Sequence, residues 1–76
     1  MEEEFVLVES PLKRAVEIEG HTLSVEIYST GKDDWILEVV NEEGTSTVWD
    51  GTFDTDRFAL AEFQKCLEEE GLTAFL

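Results

Sequence analysis

Apolar and polar residues alternate with a period of two through the first two-thirds of the chain, and the period lengthens to that of a helix after Phe53. In Arg14 to Ile18, Val16 and Ile18 share one side while Ala15, Glu17 and Glu19 face away. Thr22 to Tyr28 alternates without a break: Leu23, Val25 and Ile27 point one way, and Ser24, Glu26 and Tyr28 the other. Trp35 to Val40 repeats the theme, with Trp35, Leu37 and Val39 opposed to Ile36, Glu38 and Val40. Turn signals separate these runs. Glu19-Gly20-His21 reads as a tight turn, Ser29 to Asp34 as a polar connection around Gly31, and Asn41-Glu42-Glu43-Gly44 as a four-residue hairpin loop. The β-branched and aromatic stretch beyond it predicts another strand. An earlier apolar run, Phe5 to Val8, predicts an edge strand that Pro11 stops from continuing.

After Phe53 the apolar positions Ala59, Leu60, Phe63, Cys66 and Leu67 fall on one stripe at 100° per residue, the signature of a helix lying on a core. Asp54 is the expected N-cap, with Phe53 packing on Phe58 as a hydrophobic staple. Gly71 is placed to end the helix, and Leu72 to close a Schellman-type contact. The apolar end, Thr73 to Leu76, is expected to dock on the core or on a sheet edge. Strands at about 5–8, 14–19, 22–29, 35–41 and 45–50 and a helix at about 55–70 therefore predict one α+β domain over residues 1–76. Its architecture is a three- or four-stranded antiparallel meander followed by a single C-terminal helix packed on one face. A helix of that length spans roughly 24 Å and covers one face of a small sheet, leaving the other bare.

Charge changes this picture most. The 76 residues hold 19 Asp or Glu against five Lys or Arg, a formal net charge of -14. Over roughly 4,700 Å² of folded surface this leaves about one uncompensated negative charge per 335 Å². Such a field repels phosphates and anionic lipid headgroups and attracts basic proteins, so direct nucleic-acid or membrane binding is excluded as an expectation. Solubility is the plainer use of the same charge. Aromatics at 11% and a hydrophobic fraction of 42% are too high for a disordered acidic tail. The longest apolar runs are too short to span a bilayer, the acidic start Met1-Glu2-Glu3-Glu4 is unlike a signal peptide, and the lone Cys66 fits a reducing compartment; together they predict a cytoplasmic protein.

Candidate chemistry is sparse. Cys66 lies on the inward stripe, where a thiol acts as a small hydrophobe, and no histidine neighbours it in sequence. His21, the sole histidine, reads as a solvated turn residue. Asp50, Asp54 and Asp56 cluster around Gly51 and suggest a divalent cation, but they lack the alternating ligands and terminal glutamate of a calcium loop. No catalytic residue, cofactor or metal is expected.

A partner surface is expected instead. Glu68, Glu69 and Glu70 stand at the helix C-terminus, where the macrodipole favours cations, and each misplaced charge costs about 0.3–1 kcal/mol. Tyr28, Ile36 and Val40 share the bare face with Glu17, Glu26 and Glu38, and Phe58 projects away from the helix's apolar stripe. Apolar side chains framed by charge have the make-up of an interface. The expected partner surface is Tyr28, Ile36, Glu38, Val40, Phe58, Glu68, Glu69 and Glu70, and the expected partner is a basic protein or a second copy of the chain.

The segments Ser46-Thr47-Val48-Trp49-Asp50, Phe53-Asp54-Thr55-Asp56 and Leu67-Glu68-Glu69-Glu70-Gly71 resemble short uncharacterised bacterial proteins of the plasmid-related type. The resemblance covers about the C-terminal half and implies a shared fold without an activity. A meander followed by a helix is also similar in architecture to HicB-type antitoxins, although the Gly-Cys turn and the DNA-binding segment of that family are absent from this sequence. The functional expectation is a non-catalytic acidic interaction module, antitoxin-like, inhibitor-like or mimicking nucleic acid. A structural homodimer and a small metal or catalytic protein built on Asp50, Asp54 and Asp56 stand as alternatives.

Overall fold

A computed structural model describes residues 8–31 and 34–76. Five short strands, β1 (Val8–Glu9), β2 (Arg14–Ile18), β3 (His21–Ser29), β4 (Trp35–Val40) and β5 (Ser46–Val48), form one antiparallel sheet, followed by helix α1 (Asp56–Glu70) and a 3-10 helix (Leu72–Phe75). The α+β meander with one C-terminal helix is thus the observed architecture. β1 and β2 both pair with the same edge of β3, so five strands occupy four columns. The expected edge strand is present but begins at Val8; residues 5–7 of that expectation lie outside the described residues.

Pro11 explains the break between β1 and β2. Ser10 donates its N–H to Ile27, after which Ser10-Pro11-Leu12-Lys13 folds into a turn closed by Lys13 N–H to Ser10 C=O, with proline at the position its fixed φ favours. Four residues, 10–13, therefore face two, 26 and 27. Because the excess is two, the alternation of side chains survives the bulge. Ser10 is buried, and Leu12, Val16 and Ile18 all pack against the core.

The β2–β3 hairpin turns on Glu19 (φ 52°) and Gly20 (φ 85°), two left-handed residues of a primed turn, with Ile18 opposite His21. His21 thus opens β3 rather than sitting in the turn. The strand expected over 45–50 is confined to Ser46–Val48, because Trp49 donates to Leu37 and the chain then leaves to bridge Phe53 to Trp35.

Two helix-end expectations are corrected. Thr55, not Asp54, is the N-cap: its hydroxyl accepts the Phe58 N–H at 3.1 Å, and the helix begins at Asp56. That frame puts Asp54 and Ala59 at the staple positions, so Phe53 and Phe58 do not form one, and Phe58 is 60% exposed. Gly71 does end α1 with positive φ, but its ψ of 176° lies outside the left-handed helical well that a Schellman motif uses. This conformation, open to glycine, redirects the chain into the 3-10 helix.

That redirection seals the core. Leu23, Val25, Ile27, Leu37 and Val39 form the inner sheet face, Ala59 and Phe63 come from α1, and Phe75 from the 3-10 helix; all eight are buried. Phe75 lies 5.5 Å from the Phe63 ring and 6.2 Å from that of Trp49. The C-terminal segment therefore docks on the core. Asn41, buried in the β4–β5 turn, donates its side-chain amide to the Phe75 carbonyl and accepts the N–H groups of Glu43 and Thr45.

Candidate functional site: the open face of the sheet

The register decides what the second face carries. β3 and β4 pair Tyr28 with Ile36, Glu26 with Glu38 and Ser24 with Val40; β5 adds Val48 beside Glu38 and Ser46 beside Val40; β1 and β2 add Glu9, Ala15 and Glu17. These residues all point away from α1. None is buried, and no described element packs over them. Among the described residues, then, the face opposite the helix is left open, as a single helix leads one to expect.

At its centre two carboxylates stand directly opposite one another across adjacent strands, Glu26 and Glu38. A like-charged pair in this position destabilises a sheet by up to about 1 kcal/mol. Glu38 is held in place: Tyr28 donates its hydroxyl to one carboxylate oxygen at 3.1 Å, and Ser46 donates to the other at 2.7 Å. Burial, and then the hydrogen bond and negative charge of Glu38 with a smaller effect from Glu26, pushes the Tyr28 hydroxyl above its ordinary value near 10. At the rim Lys13 pairs with Glu9, whose hydrogen bond and charge, with a smaller contribution from the charge of Glu26, hold the ammonium above its usual value.

The expected partner residues fall into two groups on opposite layers of the molecule. Tyr28, Ile36, Glu38 and Val40 come together on the open sheet face. Phe58 and the Glu68–Glu70 run lie on the exposed side of α1, with Phe58 and Glu69 separated by roughly 16 Å along the helix at its rise per residue. No basic residue occupies the last helical turn, so the macrodipole is uncompensated there. The expected set omitted, among the residues of this face, Glu26 opposite Glu38 and the Ser46 and Val48 that β5 adds. Only the register between hairpin strands shows that Glu26 faces Glu38.

The groups considered for catalysis do not converge. Asp50 and Asp54 are exposed, whereas Asp56 accepts a hydrogen bond from buried Ser10 at 2.7 Å, tying α1 to the sheet edge. Among the described residues no cluster of three or more His, Cys, Asp or Glu side chains is arranged to hold a metal ion. Cys66 packs half-buried against the core, and burial, followed by the charges of Glu70, Glu62 and Glu69, raises its thiol pKa, which lowers the thiolate fraction a nucleophile needs. His21 Nδ1 lies 3.4 Å from Glu42, whose other oxygen accepts the Thr22 N–H. Both line a cleft of about 110 Å³ with Asn41, Glu43 and Leu76. That is well under the roughly 300 Å³ at which small-molecule sites begin, and no hydroxyl or thiol lines it.

A small two-layer α+β domain with one open acidic sheet face is the class that fold and site define. No protein-family model, curated protein or solved structure matches the chain. No described helix is long and apolar enough to cross a membrane.

Proposed function

We propose that this chain is a non-catalytic acidic interaction module whose partner is a basic protein, acting as an antitoxin, an inhibitor or a nucleic-acid mimic in a reducing cytoplasm. One observation supports the reading: among the described residues the carboxylates are mostly turned outward and left largely unneutralised within the fold. Among the described residues most carboxylates are exposed, and the ion pairs are Lys13 with Glu9 and the His21 contact with Glu42. The field of the surplus carboxylates is then available to a cationic partner and speeds its approach at low salt.

The test is retrieval of a basic protein from cell extract at low ionic strength, followed by reconstitution from the two purified proteins. Affinity is expected to fall at least tenfold between about 50 and 200 mM salt, as the Debye length contracts toward 8 Å. A reconstituted complex indifferent to salt, or no basic partner at all, overturns the proposal.

A further inference from the structure

Building on the acidic-module reading above, we infer that the open sheet face, and not the acidic helix end, receives the partner, through a basic segment that sets one lysine or arginine side chain between Glu26 and Glu38.

The two carboxylates are direct partners across β3 and β4, the two central strands. Side chains so placed have Cβ atoms about 5 Å apart, close enough for both to contact one ammonium or guanidinium group. The Tyr28 and Ser46 hydrogen bonds fix the Glu38 carboxylate on a rigid strand before any ligand arrives. Tyr28 and Ile36 flank the pair on one side and Val40 on the other, with Val48 directly beside Glu38 on β5, so the alkyl stem of a basic side chain finds apolar surface beside its charged head. The Tyr28 ring offers a cation a further attraction. The helix end has none of these features. Glu68, Glu69 and Glu70 are exposed on one terminus, and among the described residues no ion pair orients them.

Charge and area both argue against a second copy on the same face. A two-fold contact puts the same patch on both sides, and here it sets two Glu26–Glu38 pairs against each other. Four strand columns about 4.8 Å apart and roughly six residues long give a face of about 400 Å², half of the ~800 Å² per partner of a standard stable interface. A face this size suits a slender basic segment.

Binding of a fluorescein-labelled nona-arginine peptide to the full chain at low ionic strength tests the assignment. The double variant Glu26→Gln with Glu38→Gln is expected to lose at least tenfold in affinity. The triple variant Glu68→Gln, Glu69→Gln, Glu70→Gln, which removes one charge more, is expected to lose less than threefold. Ser24→Lys, which sets a fixed cation on the same face beside Glu26, keeps both carboxylates and is expected to weaken binding like the double variant; it covers the case in which the double variant does not fold. Losses that follow the number of charges removed, or a larger loss in the triple variant, overturn the surface assignment and leave the acidic-module reading standing. A wild-type chain that does not bind the peptide removes both. A wild-type dimer in light scattering that Ser24→Lys dissociates makes a second copy the occupant and overturns the assignment.

Discussion

The two faces of the sheet are made by alternate residues of the same strands, and they obey different rules. On the inner face Leu23, Val25, Ile27, Leu37 and Val39 are buried beneath α1 and Phe75, without a charged side chain among them. On the outer face Glu26 and Glu38 oppose one another among Tyr28, Ile36 and Val40, and no described element covers them. The inner face lowers the free energy of folding wherever it can. The outer face keeps a repulsive contact that folding does not require. Packing dictates the inner face, whereas the outer face holds two like charges opposite one another, offset in part by the Tyr28 and Ser46 hydrogen bonds to Glu38 and by the charge of Lys13 near Glu26; the contrast marks where burial stops choosing the residues.

The largest effect should come from the inner face. Phe63→Ala is expected to cost about 3–5 kcal/mol in urea denaturation, a large share of the roughly 4–11 kcal/mol that ~0.05–0.15 kcal/mol per residue provides for a chain of this length. Ile36→Ala on the outer face should cost about 1 kcal/mol or less. Equal costs would mean the two faces are packed alike, and the contrast would fail.

Asn41→Ala sharpens the same point at the seal of the core. It removes the donor to the Phe75 carbonyl and the acceptor for two turn N–H groups, so about 1–3 kcal/mol should be lost. Amide exchange should quicken in residues 72–76 first. Uniform acceleration across the sheet would show that Asn41 does not anchor that segment.

Glu26→Gln should act with the opposite sign, stabilising the fold by about 0.2–1 kcal/mol by relieving the opposed charges. A lowered melting temperature would show that Glu26 is compensated in the fold, and the strain attributed to the outer face would vanish.

The smallest effect is at alkaline pH. Tyr28 has its proton held more tightly in the folded chain than in the unfolded one, so its contribution to stability is present below about pH 10 and is lost as pH rises through the raised folded value. Tyr28 is the sole tyrosine, so absorbance at phenolate wavelengths reads it alone. Its midpoint should lie above that of free tyrosine and fall toward it in the Glu38→Gln variant. An unchanged midpoint in that variant would break the Tyr28–Glu38 link.

Much of the fold was legible in residue order because period and punctuation are local properties. Leu23, Val25 and Ile27 alternate with polar residues on a clear strand, Gly20 and the Asn41–Gly44 stretch mark hairpins, and the Ala59–Leu67 stripe reports a helix with one apolar side. The misreadings also have physical causes. Asp54 and Thr55 are both good caps, and which one accepts the Phe58 N–H depends on where the chain leaves the Phe53–Trp35 bridge. Gly71 signals an end to α1 but not the direction taken afterwards, because a positive φ leaves ψ free. As for the site, Tyr28, Ile36, Glu38 and Val40 were grouped correctly by parity alone, since parity assigns the face. Their separation from Phe58 and the Glu68–Glu70 run follows already from a helix that covers only the other face, whereas the register that sets Glu26 against Glu38 does not.

Local order along the chain, then, determined the strands, the helix, the one-sidedness of the core and the acidic excess, because each follows from side-chain period or charge counted over neighbouring residues. Tertiary structure alone decided that Glu26 meets Glu38, that Ser10 reaches Asp56 across 46 positions, and that Asn41 holds Phe75 in the core. These contacts depend on register and on how a chain returns to a distant segment, and period and charge do not encode that.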